Sequence, residues 1–242
     1  MKRKIRFYRQ RTGETCGPSC AMMMLDFYRK IEYPSPFMEN RLYFLYRSRT
    51  YKGMTAAALA DCLSRHGLDV RLMHSEPEYM INRGEYFENE LFRAFRAEYI
   101  EKLAGCKDRV RITAGDAIDH RLIQKELEGG RLVAAECIVP LEDEERSRIL
   151  RRRFKQPKPH RRHSCRHVDR KYLRIKCIVP CPEGEHPRVL HWVLFYAMEG
   201  SSFRCCDPAS GRYTLTAAEV DKYTNTPIGR ILVSAAGAPA YQ

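Results

Sequence analysis

The stretch YRQRTGETCGPSCAMMMLDFY, residues 8–28, decides how the rest of the chain is read. It sets a glutamine, Gln10, six residues ahead of Cys16, follows the cysteine with Gly-Pro, and then becomes apolar. Ala21, Met24, Leu25 and Tyr28 keep helical spacing, and Pro18 fits a first turn, where its missing N–H costs nothing. The spacing predicts a helix that begins at Cys16. At a helix N-terminus the unsatisfied N–H groups and the macrodipole stabilise a thiolate, the form of cysteine that attacks carbonyls. Cys16 is therefore a candidate nucleophile, and Gly17 is expected to leave room beside it for a substrate backbone. The structural alternative is a small buried residue opening a helix, and it is the reading that fits Cys20, four residues on.

Outward from this helix, MTAAALADCLSRHGL (residues 54–68) reads as a second helix with Thr55 as N-cap and Gly67 at its end, followed by a strand DVRLM. A third, YFENELFRAFRAEYIEKLAG, carries Phe87, Leu91, Ala94 and Phe95 on one face, and a fourth, AIDHRLIQKELEGG, runs into a strand RLVAAECIV. The C-terminal part changes period. RVLHWVLFYAME, SFRCCDP and GRYTLT alternate between turn signals, as in an antiparallel sheet. The expected class is α+β, a helical half packed on an antiparallel sheet half with the active site in the groove between them. Residues 1–242 are expected to form one domain, with a helical insertion at about residues 75–111 and a basic insertion at about residues 142–187.

The net charge of +13 is concentrated in that second insertion. Residues 146–176 contain fourteen Lys or Arg and one acid, Asp169, which accounts for the whole excess. Two prolines and no apolar periodicity make its core an exposed loop, expected to recruit an acidic partner. No run of eighteen apolar residues could cross a bilayer, and MKRKIRFYRQ lacks the apolar region of an export signal, so the chain is expected in the cytoplasm. Its ten cysteines are expected as reduced thiols, because disulfide scaffolds are short and secreted.

A thiolate catalyst also needs a base and a group to orient that base. If HWVLFYAMEGSSFRCCDPASG turns near Glu199 and Gly200, His191 falls opposite or nearly opposite Asp207, within reach of an imidazole–carboxylate bond. Such a bond fixes the tautomer and leaves the second ring nitrogen for the thiol. Each residue alone fits a strand edge or an Asp-Pro turn; together, at this register, they favour function.

Gln10, Cys16-Gly17 and its helix, the later T…LA…GL helix, the strand GGRLVAAECIV and the terminal HWVLFYAMEG…CCDPASGRYTLT together resemble the papain-like bacteriocin-processing peptidases, in their freestanding form. These enzymes remove double-glycine leader peptides. The resemblance implies a papain-like fold and a cysteine peptidase whose substrate is a peptide or precursor peptide. It implies Cys16 as nucleophile, His191 as general base, Asp207 as its orienter, and Gln10 as oxyanion donor alongside the Cys16 backbone N–H. Thr15 stands where the family often carries aspartate.

Two other classes fit the same residues. One is a thiol-dependent acyltransferase or amidase of natural-product assembly that takes its acyl group from an acidic carrier-protein thioester, which would suit the basic loop. The other is a binding module without chemistry, gripping nucleic acid or an anionic membrane surface, against which the intact Cys, His, Asp and Gln set counts. No DNA- or RNA-binding motif occurs in the sequence. His160, His163, Cys165, His167, Cys177 and Cys181 are crowded, but their spacing fits no common zinc site, so neither metal nor cofactor is assigned. Cys205 and Cys206 are expected to point to opposite faces of a strand. His66, His74 and His120 have no partner that the sequence names.

Overall fold

The computed structural model describes residues 4–50, 53–75, 90–115, 118–140, 188–226 and 230–237. It is an α+β fold built on one mixed seven-stranded sheet. In chain order the helices are α1 (Cys16–Phe27), α2 (Pro36–Tyr46), α3 (Ala56–Arg65), α4 (Glu90–Cys106), α5 (His120–Glu128) and α6 (Ala217–Thr224). The strands are β1 (Leu68–His74), β2 (Val110–Ala114), β3 (Leu132–Pro140), β4 (Arg188–Glu199), β5 (Ser202–Asp207), β6 (Gly211–Leu215) and β7 (Ile231–Gly237).

The strand order is β2-β1-β7-β3-β4-β5-β6, antiparallel at every pairing except the parallel β1–β2 edge. The last strand, β7, lies between β1 and β3, so it stitches the N-terminal strands to the C-terminal meander in one sheet. The sequence reading confined the sheet mainly to the C-terminal part. It did not place α2, β2, α6 or β7, and two of these, β2 and β7, carry the sheet across to the N-terminal half. Residues 142–187, with the histidine and cysteine cluster at 160–181, lie outside the described residues, as do Phe87 and the side chains of Leu91 and Phe95.

Both sheet faces are covered, and the period-2 alternation of each strand sorts its side chains between them. Val70, Leu72, Trp192, Leu194 and Val233 pack under α1 and α3. Val133, Val193, Phe195, Phe203 and Leu232 pack with Ile123 of α5 and Val220 of α6 on the other face. Cys205 and Cys206 divide between the two clusters, as alternation requires. α1 is apolar nearly all round, with Met22, Met23, Met24 and Leu25 all wholly buried, and a helix of that kind belongs in an interior. Truncating one of these methionines to alanine would cost ~2–5 kcal/mol, the usual range for a core position.

The described thiols are not joined in disulfides. α3 begins at Thr55, whose side chain accepts from the Ala58 N–H. On α4, Ala94 is exposed, and the buried positions among the described side chains are Glu98, Tyr99 and the terminal Cys106. The helix turns this polar face inward because Glu98 accepts hydrogen bonds from Ser48, Arg49 and Thr50, which tie α4 to the segment after α2. Among the described residues no helix is long and apolar enough to cross a membrane.

Candidate active site

α1 opens at Cys16, which is 8% exposed. Its N-cap, Thr15, makes no side-chain cap, whereas Ser35, Thr55, Asp119 and Thr216 cap α2, α3, α5 and α6. Thr15 instead closes a tight turn on Thr12: its hydroxyl donates to the Thr12 carbonyl at 3.2 Å and accepts from the Thr12 N–H at 3.3 Å. First-turn N–H groups have no intrahelical acceptor, and Thr15 leaves them aimed at whatever lies beyond Cys16.

Gly17 is small for a reason other than substrate access. A Cβ there would come within 2.7 Å of the Met54 Cβ, so only glycine lets α1 approach the segment ahead of α3 this closely. Met54 then reaches toward β4, its carbonyl accepting from the Trp192 indole N–H at 2.9 Å. The Cys20 thiol points at the Trp192 carbonyl, 3.6 Å away. These contacts fix the start of α1 against the strand that carries His191.

The β4–β5 hairpin turns at Gly200 and Ser201, with Glu199 paired to Ser202 and Gly200 at φ 59°, as a two-residue type II′ turn requires. Pairing then slips by one residue between Phe195 and Ala197, leaving Tyr196 as a bulge. Below the bulge Phe195 pairs with Cys205 and Leu194 with Cys206. Continuing that register sets Asp207 level with Val193, on the face that His191 shares by alternation, so His191 is its diagonal rather than direct neighbour. Without the bulge Asp207 would lie level with Leu194 and face the other way, because a slip of one residue exchanges the faces of a strand.

His191 Nε2 lies 2.7 Å from Asp207 Oδ1. The imidazole also shares a hydrogen bond with the Cys16 side chain, which falls to its other nitrogen, Nδ1. Asp207 is held in turn by the Ala209 N–H at 2.7 Å, the Ser210 N–H at 3.2 Å and the Ser210 hydroxyl. Burial opposes charge on His191, but the Asp207 carboxylate and Cys16 outweigh it and raise the imidazole to about 10. Burial likewise opposes charge on Asp207, and the His191 and Ser210 contacts reverse it, holding the carboxyl well below its ordinary range. At neutral pH the pair is an imidazolium beside a carboxylate. A cation in that place stabilises a thiolate at Cys16.

Gln10 is 5% exposed. Its backbone N–H donates to the Pro208 carbonyl at 3.0 Å, next to Asp207, and its side-chain Nε2 donates to the Thr12 carbonyl at 2.8 Å. Its Oε1 is buried without a hydrogen-bond partner, and so is the Ser19 hydroxyl one turn after Cys16. Buried polar atoms of this kind are rare in folded proteins.

Cys16, His191 and Asp207, singled out from far-separated stretches of sequence, therefore meet at the N-terminus of α1, and Gln10 is tied to the residue after Asp207 and to the turn that leads into Cys16. The sequence reading missed Ser210, although the signal was present: Asp-Pro-Ala-Ser is an Asx-type turn, in which an aspartate accepts from N–H groups two and three residues on. Met54 and the Tyr196 bulge carry no comparable local signal. The other described histidines have ordinary partners. His66 Nδ1 bonds the Cys62 carbonyl at 2.7 Å, His120 Nδ1 bonds Asp221 at 2.6 Å, and His74 contacts the Tyr99 hydroxyl at 3.1 Å. Among the described residues no group of three or more His, Cys, Asp or Glu is arranged to hold a metal ion. No family model matches the chain, and no curated protein matches it in sequence.

Proposed function

We propose that this chain is a cysteine peptidase of papain-like type that cleaves a peptide bond, with the leader of a ribosomally made precursor peptide as its substrate class. The observation that carries the reading is one buried imidazole bonded to both a helix-N-terminal cysteine and a buried carboxylate. Cys16 Sγ attacks the scissile carbonyl carbon, and the negative charge that forms on its oxygen is met by the Cys16 N–H and the Gln10 side-chain amide. His191, already protonated, delivers its Nδ1 proton to the departing amine as the C–N bond breaks. The now neutral imidazole takes a proton from water, hydroxide adds to the thioester, and the acid product and the thiolate–imidazolium pair are released. Asp207 keeps the ring charged and turned toward sulfur, accepting at Nε2 throughout.

The test adds the wild-type protein or a Cys16→Ala variant to a lysate of the source cells and compares new peptide N-termini by mass spectrometry. Discrete termini produced by the wild type alone support the peptidase. Identical terminus sets from the two proteins refute it.

A further inference from the structure

The segment that carries Gln10 has no secondary structure of its own, and residues 4–14 contain neither helix nor strand. A side-chain donor to an oxyanion must be placed to within a fraction of an ångström, so something else must fix it. On one side the Gln10 N–H is tied to Pro208. On the other, α2 holds both neighbours of the glutamine. The Arg11 N–H donates to Glu39 Oε1 at 2.9 Å, and the Tyr8 hydroxyl donates to Glu39 Oε2 at 3.1 Å. One turn further along α2 the Tyr43 hydroxyl donates to Glu14 Oε2 at 2.6 Å.

Glu39 is completely buried, although α2 keeps Phe37, Phe44 and Leu45 on its exposed side. A buried carboxylate is a poor device for stability alone, since a packed apolar residue serves as well or better. Its two oxygens are divided between two donors that bracket Gln10 in sequence. Only a carboxylate offers an acceptor to both at once.

We propose that Glu39 is a positioning residue for the reaction: from α2 it grips Tyr8 and Arg11 and so sets Gln10 against the Thr12–Thr15 turn that leads into Cys16, with the Tyr43–Glu14 bond as a second tether. This rests on the reading of Gln10 as oxyanion donor. Glu39 touches no reacting atom and acts through Gln10. Glutamine at position 39 would still serve both, its oxygen accepting from the Arg11 N–H and its NH2 donating to the Tyr8 hydroxyl, whereas Glu39→Met removes both grips at nearly constant volume.

Two probes of Cys16 separate positioning from general damage. p-Nitrophenyl acetate acylates the thiolate through a tetrahedral oxyanion, losing p-nitrophenolate and leaving a thioester, whereas iodoacetamide alkylates it at an sp³ carbon and forms no oxyanion. In Gln10→Ala the acylation rate is expected to fall by roughly 10², with alkylation within about twofold of wild type. Glu39→Met is expected to slow acylation about tenfold, again sparing alkylation, and the double variant should be no slower than Gln10→Ala, because a residue acting through another contributes nothing once that one is gone. If circular dichroism shows Glu39→Met unfolded, Tyr8→Phe combined with Tyr43→Phe replaces it in the same cycle and removes one grip of Glu39 and the second tether. Wild-type acylation in Glu39→Met beside a slow Gln10→Ala overturns the inference alone, as does a parallel fall in both probes or full additivity in the double variant. Wild-type acylation in Gln10→Ala overturns the reading of Gln10, and this inference with it.

Discussion

Replacing Asp207 by Asn tests the charge arrangement without disturbing its geometry. The asparagine carbonyl oxygen can still accept from His191 Nε2 and the amide fills the same space, so what is removed is the negative charge. The distance between the ordinary imidazole value of 6.5 and the about 10 of His191 corresponds, at ~1.4 kcal/mol per pH unit, to on the order of 5 kcal/mol in favour of the imidazolium. Burial acts against that charge, and Asp207 is the largest group opposing burial, with Cys16 the remaining one. In Asp207→Asn the His191 midpoint is therefore expected to fall by at least about two pH units. Histidine-labelled protein followed by ¹H–¹⁵N NMR of the ring nitrogens reads this directly. Wild-type His191 should remain an imidazolium through pH 8, and the variant should lose that proton well below it. Turnover should then fall far more at pH 8 than at pH 5.5. The sign for stability follows from the same values: a raised histidine stabilises fully below 6.5 and loses that contribution as pH rises through about 10, so the difference in Tm between wild type and variant should narrow on the alkaline side. A wild-type His191 that titrates near 6.5, or a variant that titrates with the wild type, would refute the reasoning.

Among the described thiols, burial pushes Cys20, Cys62, Cys137 and Cys206 up, while Cys16 is bonded to a cationic imidazole. Substoichiometric iodoacetamide at pH 6 should therefore modify Cys16 first, and preferential labelling of Cys205 or Cys165 by peptide mapping would undo the assignment. Deleting Tyr196 should remove the bulge while keeping Phe195 level with Cys205 and Asp207 level with Val193, so the His191 midpoint should stay high; a midpoint that falls as in Asp207→Asn would show that Tyr196 does more than take up one residue of register. Glu136, pushed up to about 7 by burial, makes stability fall as pH rises from 4.5 to about 7, while His74, pushed down to about 4 by burial, makes it rise from there to 6.5. The two slopes oppose each other, so Glu136→Gln should unmask the rising one, with chemical denaturation at pH 5 and pH 7 as the measure and an unaltered slope as the contrary result.

Which parts of this site were legible in the sequence follows from how local each signal is. The start of α1 could be read because Gly-Pro and the apolar spacing after Cys16 act within a few residues, and the Thr55 cap of α3 for the same reason. The partnership of His191 and Asp207 was legible only to within one residue, since a hairpin turn fixes register and the glycine at its tip could be seen, but a bulge is decided by cross-strand packing. Tyr196 is the extra residue because Phe195 packs with Phe203 on one face while Tyr196 lies against the other cluster, and nothing in FYAM announces that outcome. α2 was missed because its apolar residues do not fall on one face: Phe37, Phe44 and Leu45 are exposed while Glu39 is buried. That inversion is itself informative. The inward side of this helix carries Leu42, with Met38 and Tyr46 packed against the core, and beside them Glu39, which grips the strand-less segment around Gln10. Of the elements that periodicity does not find, β7 and α6 serve the core, whereas α2 divides its buried face between the core, through Leu42, and the segment that leads to the site, through Glu39.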